Sequence, residues 1–237
     1  LFLGEKNMLS ERLKIVADFI TGPNLVDIGS DHAYLPIYAV QNKIVKQALC
    51  GEVVQGPFEA SQKNVENYGL SEQIEVRFGN GLEILKPTDA VDTITICGMG
   101  GPLIADIIDS GFNYLSGKPR FVVQANTYPK KIREVLVKRG YKITDEVQYK
   151  DGHHFYDIIV FDYVKDPVDY SDLELRFGPI NLNNRTTLFI DDLKREKKHI
   201  EGILSGIKDA EKNEQQILKL NNNLKQISEV LSLDEGK

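Results

Sequence analysis

The chain has 237 residues, enough for one full α/β domain and a smaller appendage. Its hydrophobic share of 41% is ordinary for a globular protein, and no run approaches the roughly 20 apolar residues that a membrane span needs. A formal net charge of −6 argues against a uniformly basic polyanion binder, and two cysteines in apolar runs suit a reducing compartment better than a disulfide framework. No secretory leader is visible, Met8 reads as a native start behind a short extra segment, and the expected location is cytoplasmic.

In chain order, Leu9, Leu13, Val16, Ala17 and Ile20 fall on one helical stripe that Gly22-Pro23 ends. Strand and helix patterns then alternate. Strands are expected over 24–28, 46–53, 74–78, 92–97 and 120–124, with helices over 33–42, 57–68, 103–109 and 129–139. Residues 143–149 and 155–163 read as a closing antiparallel pair. This grammar predicts an α/β fold: a Rossmann-like, mostly parallel seven-stranded sheet with helices on both faces. After Asp166-Pro167 the strands stop. Ile190, Leu193, Ile200, Leu204 and Ile207 follow a 3,4 spacing, and Ile217, Leu220, Leu224, Ile227 and Leu231 resume it out of phase, beyond the polar stretch 208–214. The favoured reading is two helices folded back on each other, and the alternative is one long helix paired with a second copy. The expected domains are therefore residues 1–167, the α/β domain, and residues 168–237, a helical coiled-coil domain.

Ligands of such sheets bind outside the carboxyl ends of the strands, and the unusual turns of this chain fall there. The first reads Asp27-Ile28-Gly29-Ser30-Asp31-His32-Ala33. A dinucleotide loop would repeat glycine where Asp31 and Ala33 stand, because a pyrophosphate needs close backbone approach. A carboxylate repels pyrophosphate and attracts a sulfonium or ammonium, so Asp31 and Asp27 point to S-adenosylmethionine over a nicotinamide. Glu52, followed by Val53, ends the second strand, where an acid accepts hydrogen bonds from ribose hydroxyls. Gly79-Asn80-Gly81 ends the third strand and is placed to receive adenine. Cys97-Gly98-Met99-Gly100-Gly101 ends the fourth and Asn126 the fifth, on the side where an acceptor meets the methyl group. No Asn/Asp-Pro-Pro-aromatic stretch occurs, which favours a ring nitrogen over an exocyclic amine, since a ring lone pair needs positioning more than deprotonation. His153 and His154 lack further partners of metal-ligand type, so no metal is expected. Tyr34, Tyr128 and Tyr156 are candidates for stacking on a base. Between residues 118 and 142 eight basic residues face a single acid, Glu134, a local field suited to a polyanion.

These motifs carry a resemblance. Leu9-Ser-Glu-Arg-Leu13, Val26 to Pro36, Gly51 to Pro57, Gly79 to Leu82, Ile96 to Gly101 and Phe177-Gly-Pro179 resemble the bacterial tRNA adenine-22 N1-methyltransferases. The resemblance implies methyl transfer from S-adenosylmethionine to N1 of an adenine in the tRNA core, leaving S-adenosylhomocysteine, with a Rossmann-like domain and a C-terminal coiled coil. It implies tRNA as partner, with no membrane and no obligate protein partner. The expected cofactor set is Asp27, Ile28, Gly29, Ser30, Asp31, His32, Glu52, Val53, Gly79, Asn80, Gly81, Cys97 and Gly98. Asp31, His32, Gly98, Met99, Gly100, Gly101 and Asn126 are expected to form the catalytic side. Arg12, Lys130, Lys131, Arg133, Lys194 and Arg195 are expected to meet RNA. Asn80 stands where many relatives of this class carry an acid.

Overall fold

In the computed structural model, residues 9–207 and 212–233 are described; Met8 and part of the polar stretch 208–214 lie outside them. The chain divides into two compact units, residues 1–149 with 156–169, and residues 150–155 with 170–237. The second unit thus takes the tip of the last hairpin as well as the C-terminal helices, so the division is not one cut in the chain.

The first unit opens with α1 (Glu11–Asp18), whose N-cap Ser10 accepts the Leu13 N–H. The strands are β1 (Asn24–Ile28), β2 (Gln47–Glu52), β3 (Ile74–Phe78), β4 (Thr93–Gly100), β5 (Arg120–Thr127), β6 (Tyr141–Asp151) and β7 (His154–Tyr163). The helices between them are α2 (Tyr34–Gln41), α3 (Gln55–Asn67), α4 (Gly101–Gly111) and α5 (Lys130–Lys138). The sheet order is β3-β2-β1-β4-β5-β7-β6, parallel through β5 and antiparallel between β5 and β7. This is the expected class. Apart from their first residues, β1 and β2 are buried end to end, as strands covered on both faces must be. The core joins Val16 and Ala17 of α1, Leu35 and Ile37 of α2, Val65 of α3 and Val122 of β5. Strand order reverses between β1 and β4, so a crevice opens at their carboxyl ends.

The second unit holds α6 (Asp172–Phe177), α7 (Pro179–Asn184), α8 (Thr187–Gly206) and α9 (Glu214–Ser232). Phe189, Leu193 and Ile200 of α8 meet Ile227 and Val230 of α9 in a core of their own. Two separate helices packed together are the reading favoured from the phase break. Arg176 ties α6 to both, reaching Glu196 at 3.0 Å and the Gln226 side chain. Among the described residues no helix is long and apolar enough to cross a membrane.

Candidate active site

The turn after β1 is held in an uncommon shape. Gly29 has φ 68°, and Asp31, His32 and Ala33 follow at 35°, 70° and 58°, three consecutive non-glycine residues in left-handed backbone. Such residues each cost on the order of 1–3 kcal/mol unless their surroundings fix them. Here the surroundings do. The Gly29 N–H donates to the Gly51 carbonyl at 2.8 Å, the Asp31 N–H to Glu52 Oε1 at 2.6 Å, and Asn64 Nδ2 to the His32 carbonyl at 3.0 Å. Asp27, 3% exposed, accepts the Ser30 and Thr95 hydroxyls, each at 2.6 Å. Burial pushes its carboxyl up, against those two hydroxyls. Asp27 therefore braces the turn from behind, and Asp31 stands in front of it with a side chain 81% exposed. His32 Nε2 lies 3.6 Å from Asp31 Oδ1, and its ring stacks on Tyr34 with centroids 5.4 Å apart.

Glu52 at the end of β2 is 6% exposed, and burial raises its carboxyl with Asp27 and Asp31 adding to the effect. The hydrogen bond from Asp31 engages one carboxylate oxygen, Oε1. Beside it Val53 is 57% and Phe78 54% exposed, an apolar rim at the ends of β2 and β3. The Gly79 N–H donates to the Glu52 carbonyl at 2.9 Å, and Gly81, at φ 53°, opens a short 3-10 turn. Asn80 is exposed and makes no capping bond.

On the other side of the crevice, β4 is irregular against β5 between Cys97 and Gly100. Gly98, at φ 79°, is gripped twice: its N–H donates to Gln124 Oε1 at 3.0 Å and its carbonyl accepts Asn126 Nδ2 at 2.7 Å. Gln124 Nε2 donates to Asn126 Oδ1 at 3.0 Å and closes the ring. A Cβ on Gly101 would stand 2.1 Å from the Tyr128 carbonyl oxygen, so this glycine lets the turns after β4 and β5 touch. A Cβ on Gly29 would meet the Met99 methyl at 2.1 Å, so Met99 lies across the cofactor turn. Both thiols are free, and burial lifts them far above the usual range.

The crevice thus brings together the candidates at Asp27 to His32, Glu52 and Val53, Gly79 to Gly81, and Cys97 to Gly101 with Asn126. Gln124 stands in the strand-end turn 124–126, and sequence reasoning gave Thr95 no part in the site, since it reads as one of two β-branched residues in Thr93-Ile94-Thr95-Ile96. The basic candidates need correction. Arg133 is buried, its Nη2 2.8 Å from Glu146 Oε1, so it holds α5 to β6 and has no surface to offer RNA. Lys131 pairs with Glu134 at 2.9 Å and Lys130 at 3.8 Å. Arg120 pairs with Asp162 and Arg139 with Asp109, both at 2.7 Å. The acids that meet Arg120, Arg133 and Arg139 come from outside the strip, and a count over residues 118–142 does not see them. In the second unit Lys194 is exposed, and Arg195 pairs with Asp192 at 2.6 Å and lies over Phe155. Among the described residues no cluster of His, Cys, Asp and Glu is arranged to hold a metal ion.

The cofactor fits these residues on grounds of donor chemistry: a buried acid at the β2 end, a glycine turn without a Cβ, and the exposed Asp31 carboxylate in that turn to attract a cation. Comparison with known proteins agrees. A model of the tRNA (adenine(22)-N(1))-methyltransferase family matches residues 25–229. The tRNA (adenine(22)-N(1))-methyltransferase of Bacillus subtilis is 38% identical over 94% of this chain and 97% of its own length. Crystal structures of a putative tRNA (m1A22) methyltransferase from Streptococcus pneumoniae with S-adenosyl-L-methionine and of the M. capricolum enzyme with S-adenosyl-homocysteine superpose with TM-scores of 0.84 and 0.85. They are 38% and 33% identical, cover 94% and 95% of this chain, and are themselves covered to 99% and 98%. A family model over most of the chain and a relative 38% identical over 94% of it settle the assignment: the chain belongs to the tRNA (adenine(22)-N(1))-methyltransferase family.

Proposed function

We propose that this chain transfers the methyl group of S-adenosylmethionine to N1 of adenine 22 in tRNA. The observation that carries the reading is the buried Glu52, hydrogen-bonded to the strained Asp31 turn, in a chain of this family. Bound S-adenosylmethionine supplies an electrophilic methyl group on a sulfonium. Glu52 accepts the ribose hydroxyls, Val53 and Phe78 flank the adenine of the cofactor, and Asn80 offers its amide to that ring. Ile28, Gly29, Ser30 and Gly81 shape the floor, and Asp31 with His32 faces the methionine end. Gly98, held by Gln124 and Asn126, forms the acceptor wall with Cys97, Met99, Gly100 and Gly101.

Adenine N1 presents an in-plane lone pair, so these residues need to position a base and exclude water without removing a proton first. The carboxylates also suit the charge that the base acquires on methylation. N1 is engaged in pairing in a folded RNA, so the base must be freed at a cost of about a few kcal/mol, offset by contacts along the backbone. Lys130, Lys131, Lys194 and Arg195 are the surface candidates for those contacts. The two reduced thiols and the tRNA substrate agree with a cytoplasmic enzyme. The test is incubation of unmodified tRNA with the protein and labelled S-adenosylmethionine, followed by mass spectrometry of nucleosides. Labelled 1-methyladenosine is expected, and its absence overturns the assignment.

A further inference from the structure

We propose that Arg12 binds a phosphodiester oxygen of the RNA strand beside the target base, on the acceptor side of the crevice. The proposal rests on the tRNA reading above. Arg12 lies in α1 and its guanidinium sits 5.1 Å over the Tyr156 ring. Tyr156 is one residue beyond the Ala125–Asp157 pair of β5 and β7, at the end of β5 where Asn126 grips Gly98. Nη1 of Arg12 is 3.9 Å from where a Cβ on Gly98 would stand, and its charge is felt by the Cys97 thiol.

Nη1 is shut off from solvent and has no hydrogen-bond partner among the described residues. Arg77, Arg120, Arg133, Arg139, Arg176 and Arg195 each meet a carboxylate. Arg12 meets none. A buried donor on a cation left without an acceptor is costly, and a ligand that supplies an acceptor relieves that cost. The fork of a guanidinium matches the oxygens of a phosphate. Charge decides which part of the substrate it takes. Methylation at a ring nitrogen puts a positive charge on the base, which a guanidinium against the ring would oppose, whereas a phosphodiester gains from it. Charge also separates Arg12 from the cofactor, because the acids Asp31 and Glu52 belong to the turns after β1 and β2 and Arg12 belongs to the β4–β5–β7 half.

The experiment compares the full-length protein with Arg12→Gln and Arg12→Lys. For Arg12→Gln, tRNA affinity should fall about ten- to hundredfold, and the slope of log K against log salt should shrink by about 1. Calorimetry should give the same S-adenosylmethionine affinity as the parent, and Arg12→Lys should keep the parent's salt slope. An unchanged slope in Arg12→Gln overturns the proposal, and so does a loss of cofactor affinity, which would assign Arg12 to the methionine carboxylate. A third arm uses the unaltered protein, so it stands even if the variants do not fold. Two tRNAs carry an uncharged methylphosphonate at the phosphate before or after the target adenosine. One of them should bind about tenfold more weakly; equal binding of both overturns the proposal. Binding is read independently of methyl transfer, so failure to form 1-methyladenosine would refute the function while these isotherms still judge Arg12.

Discussion

Burial leaves Glu52 6% exposed and pushes its carboxyl up, while the proposed contact with ribose hydroxyls needs the carboxylate. An acid whose folded value lies above its unfolded one adds stability that is fully present below the ordinary carboxyl range. That contribution is lost as pH rises through the raised value. At neutral pH the ionised Glu52 is therefore a burden on the fold and an asset to binding. Glu52→Gln keeps an oxygen for the Asp31 N–H and removes the charge. Its melting temperature should exceed the parent's at pH 7, and the gap should close as pH falls towards 4, as thermal scans across pH will show. Its affinity for S-adenosylmethionine should drop about ten- to hundredfold by calorimetry, the worth of hydrogen bonds to a charged acceptor. Unchanged affinity would remove Glu52 from the site.

Two pairs of elements show where local sequence was informative and where it was not. The turns after β4 and β5 interlock through Gly101, whose Cβ would strike the Tyr128 carbonyl, and Tyr128 itself has φ 51°. A backbone oxygen cannot swing aside as a side-chain tip does, so Gly101→Ala must separate the turns. Turnover with tRNA should fall at least about tenfold, with S-adenosylmethionine affinity changed by less than about threefold. The helix α5 depends on the Arg133–Glu146 pair, both side chains 1% exposed. Glu146→Ala takes the carboxylate away from the buried Arg133 guanidinium and should destabilise by about 3–5 kcal/mol in urea unfolding, while Arg133→Met with Glu146→Leu should recover most of it. The alternation of strands and helices was legible because burial on both faces writes itself as apolar runs. The turns at the strand ends were legible because glycine and acids there stand out against those runs. Arg133 was misread because its partner lies on β6, outside any local window, and burial is not a property of charge count. The short helix α6 escaped notice although Ser171 and Glu174 form a capping box that the sequence spells out. The left-handed run at Asp31 to Ala33 is set by Gly51, Glu52 and Asn64, residues the turn itself does not contain.

At the scale of the molecule, each unit carries its own apolar core: Leu25, Leu35, Ile37 and Val122 in one, Phe177, Phe189, Leu193 and Ile227 in the other. The core of the first unit is built from residues 9–160, so that unit should survive removal of residues 170–237. The second unit also offers a cavity of about 540 Å³ lined by Lys194, Lys197 and Lys198 with Ile190 and Leu231, a basic groove suited to a phosphate backbone. The hairpin tip needs separate treatment, because Phe155 lies under Arg195 and belongs to the unit being removed. A chain ending at Asp169 and carrying Phe155→Ser should therefore fold, melt cooperatively and bind S-adenosylmethionine within about threefold of the parent. Its affinity for tRNA should fall at least about tenfold and its residual binding should depend less steeply on salt. Full retention of tRNA turnover in the shortened chain would mean that the helical unit takes no part in binding RNA, and the candidates Lys194 and Arg195 would fall with it.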